Sequence, residues 1–148
     1  MQESLQAMSS THMSIWEEDP KFWKDLSRLA PDVEDIHFAG GEPFLNRAHV
    51  GYLETLIQSG RSRETRLSYN TNLTHVPNWL NRLAEHFREV RVLVSLDGVE
   101  SHAEYIRYPL KWPNFLSSLE ALNQLKEKFP NVVSVAFNTT IQVYTLPG

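Results

Sequence analysis

The chain contains no cysteine. That absence excludes disulfides, thiolate catalysis, and any metal or iron–sulfur cluster held by thiolates of this chain. An excess of positive charge is also missing. Its 14 Lys and Arg face 18 Asp and Glu, a net charge of −4, which gives no sign of a nucleic-acid or anionic-membrane partner. No run approaches the roughly 20 consecutive apolar residues of a membrane span. The opening MQESLQAMSSTHMS lacks the charged, apolar and small-residue regions of a signal peptide, so the cytoplasm is the expected compartment. Histidines are scattered: His12, His37, His49, His75, His86 and His102 show no spacing typical of a metal site. Each reads as a surface or capping residue. No metal-ligating set is expected.

What remains is an ordinary globular composition. The 148 residues are 41% hydrophobic and 22% charged, the size of one domain. Such a domain buries roughly 70% of the surface its unfolded chain exposes. Residues 1–15 are expected to be a mobile N-terminal segment and residues 16–148 the folded domain.

Apolar periodicity then gives alternating units. Asp19 and Pro20 open a helix with Phe22, Leu26 and Leu29 at helical spacing, and Pro31 ends it. DIHFA is a short strand. AHVGYLETLIQSG is a helix with Val50, Leu53, Leu56 and Ile57 on one face, and Gly60 suits its C-terminal cap. RLSYNTN is a strand. PNWLNRLAEHF is a helix with a stripe of Leu80, Leu83, Ala84 and Phe87, and VRVLVSLDG is the clearest strand. A long connection through YIRYPLKWP leads to a helix capped by Asn114, with Leu116, Leu119, Leu122, Leu125 or Lys126, and Phe129 recurring. VVSVAFNTTIQVY closes the chain as a strand. Strands alternating with amphipathic helices predict an α/β fold with a parallel sheet and right-handed crossovers.

Each strand ends in polar or glycine-rich residues: Gly40-Gly41-Glu42-Pro43, Asn70-Thr71-Asn72, Ser95-Leu96-Asp97-Gly98 and Asn138-Thr139-Thr140. In a parallel sheet these ends share the edge where such folds bind ligands. Four polar ends at one edge predict a polar pocket. The Gly-Gly pair permits positive φ and a close approach of the backbone to a ligand. Pro43 restrains Glu42 to extended geometry. A carboxylate beside converging carbonyls favours an ammonium group, whereas a phosphate cradle needs a helix N-terminus free of an acid.

These residues resemble a known family. HFAGGEPFL is similar to the GGEP segment of radical S-adenosylmethionine (SAM) enzymes. LSYNTN resembles their third strand, and VLVSLDGVESHAEYIR their SLDG strand with its following His and Arg. YIRYPLKWPNFLSSLEAL and VAFNTTIQVYTL resemble the twitch-domain members. The resemblance covers about residues 16 to 146 and implies a partial (β/α)6 TIM-like barrel that binds SAM at its C-terminal edge. It implies that Gly40, Gly41 and Glu42, steered by Pro43, meet the methionine amino group, with Asn72 ending the next strand. Ser95, Asp97 and Arg107 are implied at the ribose and the methionine carboxylate, the last suiting a guanidinium fork. Asn138 and Thr140 are implied near the adenine.

The departure from the family pattern concerns the CxxxCxxC segment that holds the four-iron four-sulfur cluster. This chain has no cysteine. The resemblance therefore implies an internal piece of a radical SAM core that binds SAM but carries no cluster ligand and no catalytic residue of its own. The substrate is not legible. A non-catalytic SAM- or protein-binding module on the same fold is the second expectation, and an unrelated enzyme using Glu42 and Asp97 as an acid–base pair is the third. Strands left at the sheet edges predict self-association. GRSRETR reads as a solvated loop and RYPLKWP as a loop flanking the SAM site.

Overall fold

A computed structural model describes residues 19–141. The expected mobile segment 1–15 and the part of the last predicted strand beyond residue 141 lie outside the described residues. The order is α1 (Pro20–Leu29), β1 (Asp35–Phe38), α2 (Ala48–Gln58), a 3-10 turn (Arg61–Arg63), β2 (Arg66–Thr71), α3 (Trp79–His86), β3 (Glu89–Ser95), α4 (Glu100–Ile106), α5 (Trp112–Lys128) and β4 (Val133–Asn138). The four strands form one sheet in the order β1-β2-β3-β4, every pair parallel. The α/β fold with alternating helices is as the sequence predicts.

The register divides the sheet into two unlike faces. Ile36 and Phe38, Leu67 and Tyr69, Val90, Val92 and Val94, and Val133 share one face and enter the core. Leu53 and Leu56 of α2, Leu80 and Leu83 of α3, and Phe115, Leu122 and Leu125 of α5 complete it. Period-2 alternation sends the remaining strand residues to the other face. There Asp35 forks onto Arg66, with Nε–Oδ1 at 2.6 Å, and His37 Nδ1 lies 2.7 Å from Ser68 Oγ. That face carries charged and hydroxyl side chains with Leu93 and Ala136 among them, while the described core helices pack on the other face.

Helix ends follow local chemistry. Asp19 caps α1 by accepting from the Lys21 amide at 2.8 Å, with Pro20 in the first turn. Gly60 takes φ +77, the left-handed conformation that stops α2. Phe87 is buried at the end of α3, whose stripe of Leu80, Leu83 and Ala84 is as expected.

Several expectations fail in detail. On α1 no residue is fully buried, and Leu29 is 75% exposed, because the helix packs mainly on α2 rather than on the sheet. On α2 the buried set is His49, Tyr52, Leu53 and Leu56, with Val50 and Ile57 only half-buried. Aromatic packing turns the helix: Trp23 stacks on Tyr52 at 5.8 Å and Phe38 meets His49 at 4.4 Å. His49 is thus a core residue, not a surface or capping one. The long connection contains α4, seven residues in which only Ala103 is buried. With one anchor it leaves little apolar periodicity to read. Helix α5 starts at Trp112 with Pro113 in its first turn, so Asn114 is inside it rather than at the cap. Its buried stripe is Phe115, Ser118, Leu122 and Leu125, leaving Leu116 exposed. GRSRETR is less solvated than expected. Its 3-10 turn buries Ser62, and Arg61 pairs with Asp32 at 2.6 Å and Glu64 at 2.9 Å.

Candidate functional site at the strand ends

The parallel sheet places the ends of β1 to β4 along one edge, and the candidate residues meet there. After β1 the chain turns through Gly40 at φ +91 and Gly41 at φ +55. L side chains are disfavoured at these angles, so the turn requires glycine. Nothing lies within 4 Å of where a Cβ would stand on either, leaving open space beside their backbone. Pro43 then occupies the second position of a turn closed by Leu45 N–H donating to Glu42 C=O at 3.0 Å.

The turn aims the Glu42 carboxylate at β2. Oε1 accepts from the Thr71 hydroxyl at 2.6 Å and from the Phe44 amide at 3.2 Å, while Oε2 accepts from the Asn72 amide at 2.7 Å. Asn72 Oδ1 accepts from Arg107 Nη1 at 2.8 Å, and Arg107 Nη2 pairs with Asp97 Oδ2 at 2.6 Å. Asp97 Oδ1 in turn accepts from the Thr140 amide at 2.7 Å. One chain of short hydrogen bonds therefore runs across all four strand ends. Asp97 is 6% exposed and the Arg107 side chain 22%, so this ion pair is largely removed from water. Buried pairs of this kind depend on good geometry and satisfied hydrogen bonds: both Asp97 oxygens are engaged, while Arg107 Nε is buried with no hydrogen-bond partner among the described residues.

Other candidates contribute backbone or position. Asn138 C=O accepts from the Leu96 amide at 3.1 Å, and its side chain is exposed. Ser95 is half-buried and stands opposite Asn138 in the register. Thr139, outside the candidate set, donates its hydroxyl to Leu96 C=O at 2.7 Å.

The edge opens into two cavities rather than one. Gly40, Gly41, Glu42 and Pro43 line a space of about 1010 Å³ along the outer side of β1, with Ile36 and Phe38. Asn72, Asp97 and Arg107 line a second, of about 440 Å³, walled by Tyr108, Leu110 and Phe115. RYPLKWP supplies that wall, including the cis Tyr108–Pro109 bond. The Glu42–Asn72 hydrogen bond joins residues of the two.

Sequence reasoning missed Thr71 and Leu73. Thr71 is buried and has its hydroxyl on Glu42, and Leu73 is fully buried at φ +55. A signal existed for Thr71. Its parity on β2 puts it on the apolar face with Leu67 and Tyr69, where a hydroxyl needs a partner. A buried leucine at positive φ has no sequence signature.

The family assignment agrees with this edge. The sequence model of the Radical SAM superfamily matches residues 13–148. The chain belongs to the radical SAM superfamily. No curated protein and no solved structure matches it. Radical SAM proteins in general use SAM and a four-iron four-sulfur cluster, and the two groups fare differently against this chain. The strand ends offer a carboxylate, a guanidinium and open glycine backbone, a donor and acceptor set that fits an amino-acid headgroup. The cluster does not fit: the sequence has no thiolate, and the described residues hold no group of three His, Cys, Asp or Glu that could bind a metal ion. The four parallel strands, with helices on the apolar face, correspond to part of a radical SAM TIM-like barrel.

Proposed function

We propose that this chain carries the SAM-binding strand ends of a twitch-type radical SAM core and does not generate a radical by itself. The observation that supports this reading best is the hydrogen-bond chain from Glu42 through Asn72, Arg107 and Asp97 to Thr140. Within it Glu42 and Arg107 carry opposite charges, with Asn72 between them using one donor and one acceptor. A zwitterionic amino-acid headgroup asks for the same pattern: a carboxylate for its ammonium, a guanidinium for its carboxylate. In this reading Gly40 and Gly41 add carbonyls to Glu42, while Pro43 fixes the turn. Asp97 acts by orienting Arg107. Ser95, Asn138 and Thr140 flank the nucleoside part.

Isothermal calorimetry tests the reading. The chain is expected to bind SAM, and Glu42→Ala and Arg107→Ala are each expected to weaken binding by about tenfold or more, the scale of a lost hydrogen bond to a charged group. Unchanged affinity in both variants removes the pocket assignment.

Radical generation requires an electron delivered from the cluster to SAM, and the chain has no cysteine to hold one. Incubated alone with SAM under anaerobic reducing conditions, it is expected to give no 5′-deoxyadenosine. Chromatographic detection of that product at catalytic yield from the pure chain would sink this part of the reading.

Self-association is the third expected property. Among the described residues β1 and β4 are the edge strands, and Phe137 on β4 is 54% exposed with Ile141 just beyond at 79%. Unpaired edges with apolar side chains recruit other chains. Size-exclusion chromatography is expected to show species larger than the monomer, and a single monomeric peak at all concentrations contradicts it.

A further inference from the structure

We propose that Thr71 is a positioning residue that fixes the Glu42 carboxylate and leaves it one free acceptor direction for a ligand donor. The inference rests on the SAM-site reading above and adds a residue outside the candidate set.

The hydroxyl of Thr71 has a single consistent arrangement. It lies 2.8 Å from the Leu73 amide, which can only donate, so the oxygen accepts there. Its own proton is then free to go to Glu42 Oε1 at 2.6 Å. A hydroxyl offers one donor and two acceptor positions, and this one uses its donor on the carboxylate. Thr71 is buried, so the bond is shielded from water.

Counting at Glu42 gives the consequence. An ionised carboxylate has about four lone-pair directions. Thr71, Phe44 N–H and Asn72 N–H occupy three. One remains. A ligand ammonium therefore meets Glu42 through a single N–H, and its other protons must find carbonyls, such as those of the open Gly40–Gly41 turn. The same hydroxyl restrains Leu73 at φ +55, a conformation that L side chains disfavour. Fully buried Leu73 holds the turn that carries Asn72. Thr71 thus ties the acid and the Asn72 turn into one rigid unit.

Thr71→Val removes the hydroxyl at nearly constant shape, and Thr71→Ser keeps it. The first measurement uses no ligand: amide hydrogen exchange at Phe44 and Asn72. Protection there is expected to fall about tenfold in Thr71→Val and to return in Thr71→Ser, on the scale of one hydrogen bond to a charged group. The second is SAM calorimetry. Thr71→Val is expected to weaken binding about tenfold, Thr71→Ser to stay near the parent value, and Thr71→Val to cost nothing further in a Glu42→Gln background. Unchanged protection in Thr71→Val overturns the proposal, as does an affinity loss that persists in full without Glu42. If the parent chain takes up no SAM, the cofactor reading fails and the exchange measurement alone decides the role of Thr71.

Discussion

Replacing Arg107 by alanine is expected to lower the unfolding free energy by about 3 kcal/mol, the lower end for a broken buried ion pair. Asp97, 6% exposed, would keep the Thr140 amide as a partner but lose its cation. Asn72 would lose its donor as well. The loss comes from stranding a charge away from water rather than from the worth of the pair itself. Adding Asp97→Asn removes the stranded charge, so the double variant should be less destabilised than the sum of the singles. Urea denaturation of the four chains measures this coupling. A loss below about 1 kcal/mol for Arg107→Ala would place the pair with exposed ion pairs and remove the rigid strand-end clamp. The effect also bears on ligand binding, so SAM titrations of this variant belong well below its melting temperature.

Acid should weaken the fold through His49 before it touches the carboxylates. Burial against Phe38, Tyr69 and Trp79 lowers its pKa to about 4 from the ordinary 6.5. The imidazole is neutral in the folded core, and Tyr69 Oη lies 3.3 Å from its Nε2. Between those two values the unfolded chain takes up a proton that the folded chain refuses. Stability is therefore full above about pH 6.5 and declines as pH falls toward 4, by roughly 3 kcal/mol over the whole window. Asp35 and Glu54 also have lowered pKa values, from hydrogen bonds to Arg66 and Arg82 respectively. Their contributions are lost only below the ordinary carboxylate values of 3.8 and 4.5, which leaves the upper part of the window to His49. Urea midpoints measured from pH 7 to 5 should fall in the parent chain and stay nearly level in His49→Gln. A parent curve that is flat across that range contradicts the buried neutral histidine.

Particular residues show how far the sequence alone could be read. RLSYNTN and VRVLVSLDG are legible as strands because they are short segments with apolar Leu, Tyr or Val residues lying between amphipathic helices. The helix PNWLNRLAEHF carried its stripe openly. The strand-end residues were equally visible, since a parallel arrangement places every C-terminal end on one edge whatever the packing details. Glu42, Asn72 and Asp97 stand at those ends in the sequence itself, whereas Arg107, at the C-terminal cap of α4, is implied only by the family resemblance. The misses have a common cause. His49, Phe115 and Ser118 are buried because a neighbouring element turns or covers that side of their helix, and helical spacing alone does not choose between adjacent stripes. Helix α4 has one buried residue, too little for periodicity to register.

The amino-acid order by itself determined the alternation of strands and helices, the polar edge, the glycine pair that permits a positive-φ turn, and the absence of any thiolate. These are local or compositional properties, fixed by side-chain pattern and covalent chemistry. Only the tertiary structure decided that Arg107 turns onto Asp97 and Asn72, that Thr71 holds Glu42, and that the edge opens into two cavities. Thr71–Glu42 and Arg107–Asn72 join residues 29 and 35 positions apart, and even Arg107 and Asp97 are separated by helix α4. Which partner a buried charge or hydroxyl finds depends on the groups the packed sheet brings within hydrogen-bond reach, and local sequence does not contain that distance.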